Sequence, residues 1–352
     1  MKILAFPRDD NPYQELLYGP MRKRGVSVDY LDGPTGSHTI NLLLMPFMVA
    51  IWRIRGYKIF HLHWVYLFSL PWGNRSTKKI MQAYYQLFFY LLKALGYKIV
   101  WTCHNFMPHE QVFYDDLKAR KFLGKITDRI IVHNNHAKKQ LRDLKINTEK
   151  ITEIPHGSYV GYYPDSTTKS TARKKLGLEK NDNVILFFGK IRPYKGIESL
   201  MDSYSSLRSS EKPTLLIAGA SQEKVFSKKI RKFASREPKV HLFNQHIPDE
   251  DIQYYFGAAD FTILPYLKST TSAVALLSCS FGRPVIAPQL DVFEPMPRKT
   301  KITYRILADG IISADKVSNV EKSKMNEAAK DYANSLSWTR IAQKTLESIE
   351  MV

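Results

Sequence analysis

Apolar residues in this chain fall in short runs separated by stretches with helical spacing, and the alternation repeats along its length. Residues 2–6 predict a strand, and residues 13–24 carry helical spacing, with Gly25 placed to end that helix in the left-handed region. Strands are predicted again at 26–30, 58–62, 98–102, 129–133 and 150–154, with a long helical region after 62 and a polar helix over 136–144. A second series has strands at 183–188, 214–219, 240–243, 261–265 and 284–287, with helices between them, including 197–207 and 273–281. Strands alternating with helices imply parallel sheets covered on both faces. Residues 162–172 break the pattern, being polar, rich in Ser and Thr and interrupted by Pro164, which suits an interdomain linker. The expected fold is therefore α/β, with two doubly wound domains at 1–161 and 173–335. Ligands in such sheets bind beyond the carboxyl ends of the strands. Two domains of this kind facing each other would line a cleft with both carboxyl edges.

A length of 352 residues agrees with two cores rather than one. The formal net charge of +19 changes the picture more, because it implies an anionic partner: a nucleotide, a phospholipid headgroup or a nucleic acid. No helix-turn-helix, RNP or zinc motif accompanies the charge, so a nucleic-acid-binding protein is the weaker alternative. Cys103 and Cys279 match no metal spacing and suit a reduced, cytoplasmic protein. Residues 1–6 lack the plan of a signal peptide. The apolar run at 42–51, followed by Trp52, Arg53 and Arg55, is shorter than the roughly 18 residues a membrane span needs. Residues 78–98 mix Tyr, Phe and Leu with Lys78, Lys79, Lys93 and Lys98. That mixture suits either a helix lying in an anionic membrane interface or an ordinary pair of core helices.

The segment Phe188-Gly189-Lys190-Ile191-Arg192-Pro193-Tyr194-Lys195-Gly196 joins a predicted strand to a predicted helix. A glycine-bearing turn of this kind gathers backbone N–H groups and the positive end of a helix dipole. Lys190, Arg192 and Lys195 add three cations there, a combination that suits a diphosphate. A second anion site is expected at Lys268-Ser269-Thr270-Thr271-Ser272, ahead of the apolar helix from 273, where four hydroxyl residues exceed what one helix cap requires. The single D-x-D, Asp249-Glu250-Asp251, follows Pro248 at a helix start, where acids are ordinary partners of the dipole. No metal is expected there. His61 and His63 share a strand face, but no third ligand follows, so no metal is expected at that pair either.

These motifs, in this order, resemble the GT-B glycosyltransferases, and within them the group 4-like family that builds bacterial polysaccharides and glycolipids. The Gly189 to Gly196 turn resembles that family's G-R-x-x-x-K-G diphosphate turn. Leu216-Ile217-Ala218-Gly219, Ile247-Pro248-Asp249-Glu250, Ala258-Ala259-Asp260 with the strand to Pro265, and Phe281-Gly282-Arg283-Pro284-Val285-Ile286-Ala287 resemble its following elements. Ser337-Trp338-x-x-Ile341-Ala342 is similar to its closing helix, which implies that residues 336–352 pack back on the first domain. The resemblance implies donor binding by Gly189, Lys190, Arg192, Lys195, His246, Ile247, Ser269, Thr270, Thr271 and Ser272. One departure stands out. The family's Glu-x7-Glu pair falls here on Ser269 and Leu277, neither acidic, which removes the usual companion of a retaining reaction. The Thr-Thr-Ser cap with the following SFGRPVIAP looks like a sub-branch common in exopolysaccharide synthesis.

In the first domain, Trp101-Thr102-Cys103-His104-Asn105-Phe106-Met107-Pro108-His109-Glu110 lies at the carboxyl end of a predicted strand. His104 matches the family's histidine beside the donor sugar. Glu110, with Asp9 and Asp10 as rivals, is the candidate base for an acceptor hydroxyl. Asn11, Tyr13, His63, Trp64 and His109 are candidate acceptor contacts. His156-Gly157-Ser158 is a further possible ligand contact ahead of the linker. The expected function is transfer of a hexosyl unit from a UDP- or GDP-sugar co-substrate to a glycan or lipid-linked acceptor. No cofactor or metal is expected, and the enzyme would be peripheral on the inner face of the plasma membrane. Epimerisation of a nucleotide sugar is the alternative enzymatic reading.

Overall fold

A computed structural model describes residues 1–70, 73–108, 110–221 and 223–352. The chain forms two compact units, one comprising Met1–His156 with Trp338–Val352, the other Gly157–Ser337.

The first unit runs β1 (Lys2–Phe6), α1 (Tyr13–Arg22), β2 (Ser27–Tyr30), α2 (His38–Ile54), β3 (Ile59–Leu62), α3 (Arg75–Ala94), β4 (Lys98–Cys103), α4 (Asp116–Ile126), β5 (Arg129–Val132), α5 (Asn135–Asp143) and β6 (Ile151–Glu153). All strand pairs are parallel, in the order β2-β1-β3-β4-β5-β6. Strands such as Lys98–Cys103 are buried at every position after the first because helices cover both faces. One face packs on α2 and α3 around Phe60, Phe68, Phe88 and Trp101. The other packs on α1 and the closing helix around Tyr13, Leu17, Tyr18 and Ile341.

The second unit runs α6 (Lys169–Leu176), β7 (Val184–Phe188), α7 (Ile197–Ser206), β8 (Thr214–Ala218), α8 (Lys224–Ala234), β9 (Val240–Phe243), α9 (Ile252–Ala258), β10 (Phe261–Ile263), α10 (Ala273–Ser280), β11 (Val285–Pro288), β12 (Lys301–Tyr304), α11 (Leu307–Asp315) and α12 (Asn319–Ser335). Its parallel sheet has the order β12-β11-β10-β7-β8-β9. The chain then returns to the first unit as α13 (Trp338–Glu350), which packs beside α1.

Two expectations change. Residues 162–172 are not a free linker. Thr168 caps α6 by accepting a hydrogen bond from Thr171 N, and the backbone N–H of Ser166 donates to Gln253 Oε1 at 3.2 Å. Ser/Thr-rich composition signals a helix cap as readily as a loop. The chain leaves the first unit at His156, ahead of the expected boundary at 161. The edge strand β12 escaped the sequence pattern because it is short and only half-buried.

Asp260 holds the second unit together at the entry to its central strands. Its buried carboxylate accepts from Val184 N at 2.8 Å, Arg173 Nη2 at 2.9 Å and Lys169 Nζ at 2.5 Å. Burial alone would raise its pKa, but the Lys169 ammonium, the Val184 N–H and Arg173 together hold it below the ordinary carboxylate value.

Candidate active site

A doubly wound sheet opens a crevice where the strand order reverses. In the second unit that point lies between β7 and β10. β7 ends at Phe188, and Gly189 turns the chain at φ +99°, its N–H donating to Ala218 O at 2.9 Å. A short 3-10 turn at Pro193–Lys195 leads to Gly196 at φ +70°, which caps α7. A Cβ on Gly196 would lie 1.8 Å from the carbonyl oxygen of Pro265, so only glycine lets the turn close on the segment after β10. Leu267 N donates to Tyr194 O at 3.0 Å and ties the two segments together.

Lys195 is 8% exposed, and its Nζ lies 3.1 Å from where a Cβ on Gly189 would sit. Burial, then the neighbouring charges of Arg192 and Lys190, push its pKa down to about 8. All three influences oppose the ammonium, so a bound anion would restore it. Val274, in the first turn of α10, approaches the same point at 3.6 Å. Ser272 caps α10, its Oγ accepting from Ala275 N at 3.2 Å, and Ser269 Oγ donates to Thr271 O at 2.9 Å. Two of the four hydroxyl residues therefore shape the loop itself. Thr271 Oγ1 is buried without a hydrogen-bond partner, the kind of group a ligand satisfies. Thr270 is partly exposed beside it. In the loop after β9, His246 is exposed and Ile247 is buried, so Ile247 can offer a ligand its backbone rather than its side chain. Asp251 pairs with Lys175 at 2.8 Å ahead of α9. Among the described residues no three His, Cys, Asp or Glu side chains are grouped to hold a metal ion.

In the first unit the order reverses between β1 and β3. Asp9 follows β1, and its Oδ1 accepts from Asn11 N at 2.8 Å. Its Oδ2 accepts from the Tyr66 hydroxyl, in the segment after β3, at 2.6 Å. Asn11 Oδ1 accepts from Tyr13 N at 3.0 Å and turns the chain into α1. Asp10 and Glu110 are exposed, Glu110 in the segment after β4. His109 lies outside the described residues.

The carboxyl edge of this sheet carries a row of histidines. His63, His104, His133 and His156 each sit just beyond β3, β4, β5 and β6, all buried. Tyr13 of α1, 2% exposed, packs across the row, with ring centroids 4.4 Å from His104, 5.0 Å from His156 and 5.1 Å from Trp338. Tyr13 and His63, expected at an acceptor surface, are therefore interior residues of this edge. Trp64 is half-buried and stacks on His104 at 4.5 Å and 13°. Both ring nitrogens of His104 are engaged, Nε2 with His63 Nδ1 at 3.1 Å and Nδ1 with His133 Nε2 at 3.3 Å. As placed, His104 has no nitrogen left for a donor sugar. Sequence reasoning missed Tyr18, Thr102 and His133. The recoverable signal was a histidine at the end of four successive strands.

Two parallel six-stranded sheets, each flanked by helices and each with a turn at its reversal point, define the GT-B glycosyltransferase fold. Residues 2–158 match the model of Glycosyltransferase Family 4, and residues 168–299 match that of Glycosyl transferases group 1. The chain thus belongs to the group 1/family 4 glycosyltransferases. It is 26% identical over 291 residues to a GDP-mannose:glycolipid 4-beta-D-mannosyltransferase of Xanthomonas campestris pv. campestris, covering 82% of this chain and 78% of that protein. A second match to a protein of that name, also from Xanthomonas campestris pv. campestris, is 27% identical and covers 66% of this chain and 61% of the relative. A D-inositol 3-phosphate glycosyltransferase of Streptomyces coelicolor is 24% identical, over 57% of this chain and 48% of that one. Among solved structures, Anabaena HepE in complex with UDP and glucose covers 100% of both chains with a TM-score of 0.77 at 15% identity. WaaG, a glycosyltransferase of lipopolysaccharide biosynthesis, covers 98% of both at 0.67 and 14%.

Proposed function

We propose that this protein transfers a hexosyl unit from a nucleoside-diphosphate sugar to a glycolipid acceptor, with inversion at the anomeric carbon. The observation that carries this reading is the buried Lys195, pressed towards neutrality beside Arg192 and Lys190 at the β7 turn. In the reaction the acceptor oxygen attacks the anomeric carbon as the bond to the diphosphate breaks. The electron pair leaves on the diphosphate, where Lys190, Arg192, Lys195 and the N-terminus of α7 oppose the growing charge. GDP-mannose is the preferred donor and a bacterial glycoconjugate the product class, by likeness to the Xanthomonas relatives. A β-linked product from an α-linked nucleotide sugar requires inversion, and the missing acidic pair at Ser269 and Leu277 agrees with it.

An inverting displacement needs a base for the acceptor proton. Asp9 takes that role in this reading, because it stands at the β1–β3 reversal and is oriented by Tyr66 and Asn11. Glu110, in the segment after β4, two strands from β1, is its rival. The acceptor's lipid points to a membrane surface, and α2 fits one. Ile40, Leu43, Phe47, Ile51 and Ile54 line its outer side, Phe47 at 70% and Ile54 at 87% exposure. Its inner side buries Leu42, Met45 and Val49. A helix apolar on both sides requires a second apolar partner. Arg55, stacked on Trp52 at 5.1 Å, adds the charge that anionic lipid attracts. No helix among the described residues is long and apolar enough to cross a membrane.

Thermal shift with GDP, UDP, GDP-mannose and UDP-glucose tests the donor half. The expected result is a concentration-dependent rise in melting temperature with a guanosine or uridine diphosphate. No rise with any of them removes the reading. Asp9→Asn is expected to abolish turnover with donor binding intact, and full activity would move the base to Glu110.

A further inference from the structure

Six buried side chains behind the first unit's carboxyl edge are linked without a break. Thr102 Oγ1 lies 2.8 Å from His61 Nε2, and His61 Nδ1 lies 2.8 Å from the Tyr18 hydroxyl. That hydroxyl lies 2.7 Å from His63 Nε2. The links from His63 to His104 and from His104 to His133 follow, and His133 Nδ1 ends on the carbonyl oxygen of Ile154 at 3.0 Å. Burial holds all four imidazoles below their ordinary pKa, His61 at about 3 and His133 at about 4. At neutral pH each ring therefore carries one proton.

The carbonyl then decides where every proton sits. A carbonyl only accepts, so His133 carries its proton on Nδ1 and offers a lone pair at Nε2. His104 must donate to that lone pair from Nδ1, which leaves its own Nε2 to accept. His63 donates from Nδ1 in turn, and its Nε2 accepts from the Tyr18 O–H. The Tyr18 oxygen accepts from His61 Nδ1, and Thr102 donates to His61 Nε2. No other neutral arrangement satisfies every link.

We propose that Thr102, His61, Tyr18, His63, His104 and His133 form one directional hydrogen-bond chain, with every imidazole proton on Nδ1, that positions Trp64 as a stacking platform for the substrate saccharide. Trp64 is the one ring of this stack that reaches solvent, and His104 beneath it is clamped on both nitrogens. Polarised links in series strengthen one another and fix the ring planes. His104 is on this account a positioning residue, and proton abstraction falls to a carboxylate. The platform rests on the glycosyltransferase reading above, whereas the chain itself does not.

Side-chain nitrogen-15 NMR of the wild-type protein at pH 7 tests the chain without any substrate. The expected spectrum shows His61, His63, His104 and His133 neutral and protonated on Nδ1. A cationic ring, or an Nε2-protonated His63, His104 or His133, overturns it. Two variants then grade the effect. Thr102→Val removes only the far donor and is expected to leave the tautomers of His63, His104 and His133 as they were. Tyr18→Phe severs the middle: His61, cut off from the carbonyl, is expected to move its proton to Nε2 and donate to Thr102, while His63, His104 and His133 keep theirs on Nδ1 and the Trp64 indole N–H resonance shifts. An Nε2 proton on His63, His104 or His133 in Tyr18→Phe, or a His61 that keeps its proton on Nδ1, overturns the directional chain. Octyl β-glucoside below its micelle concentration serves as the saccharide probe. It is expected to perturb the Trp64 resonance in the wild type and to bind Tyr18→Phe roughly three- to tenfold more weakly. No perturbation of Trp64 removes the platform and leaves the chain standing. Should Tyr18→Phe fail to fold, the wild-type tautomers and the wild-type probe titration still decide both claims.

Discussion

Along the histidine row at the carboxyl edge of the first sheet, buried imidazoles bond to one another and to a carbonyl, so that the row is neutral and internally complete. At the corresponding edge of the second sheet, Lys190, Arg192 and Lys195 crowd one glycine turn, and the buried ammonium is held down by its own neighbours. The histidine row has spent its polar groups on itself, and the glycine turn keeps a charge for a ligand. The same fold position thus serves rigidity in one unit and anion affinity in the other.

Acid should separate the two edges most. The folded-state pKa values of His61, His63, His104 and His133 are depressed, so below about 6.5 the unfolded chain binds more protons than the folded one. Stability is expected to fall as pH drops from 6.5 towards 4, by up to about 1.4 kcal/mol per pH unit for each imidazole. The described tryptophans, Trp52, Trp64, Trp101 and Trp338, all belong to the first unit, so urea unfolding followed by tryptophan fluorescence reports on that unit. A flat profile between pH 6.5 and 5 would break the comparison.

Removing a partner from the buried Asp260 cluster should come next. Asp260→Ala leaves Arg173 buried without its carboxylate and is expected to cost about 3–5 kcal/mol of second-unit stability by calorimetry. For the ligand, Lys195→Ala is expected to weaken nucleoside-diphosphate binding by about 1.5–3 kcal/mol in titration calorimetry, and unchanged affinity would remove the diphosphate assignment. In the wild type that affinity should decline above pH 8, approaching about tenfold per pH unit, because binding needs the Lys195 ammonium that rising pH removes. The smallest effect is expected at the surface. Phe47→Asp should lower sedimentation with anionic phosphatidylglycerol vesicles several-fold and leave nucleotide binding unchanged.

Much of this architecture was legible in the chain. The strands at residues 2–6 and 240–243 fall where the apolar runs placed them, and Gly25 ends its helix at φ +81°. The phosphate turn was legible because its glycines and cations are contiguous. The histidine row was not, because its members lie far apart in sequence and meet only through the β3-β4-β5-β6 strand order. Tyr13 resembled a surface aromatic after a polar loop, yet α13 and α1 bury it between them. Thr168 and Ser166 read as linker because local composition cannot reveal a cap or a partner at Gln253.

The way the chain threads its two units carries a consequence for biogenesis. The second unit is one continuous segment, whereas the first is completed only by α13. During vectorial synthesis the later-made unit can finish first, an inversion of the usual N-to-C order. Until Trp338 emerges, the apolar layer around Tyr13, Leu17 and Tyr18 lacks its cover. The nascent first unit is then a natural client for a chaperone, and the interval lasts for the translation of everything between His156 and Trp338.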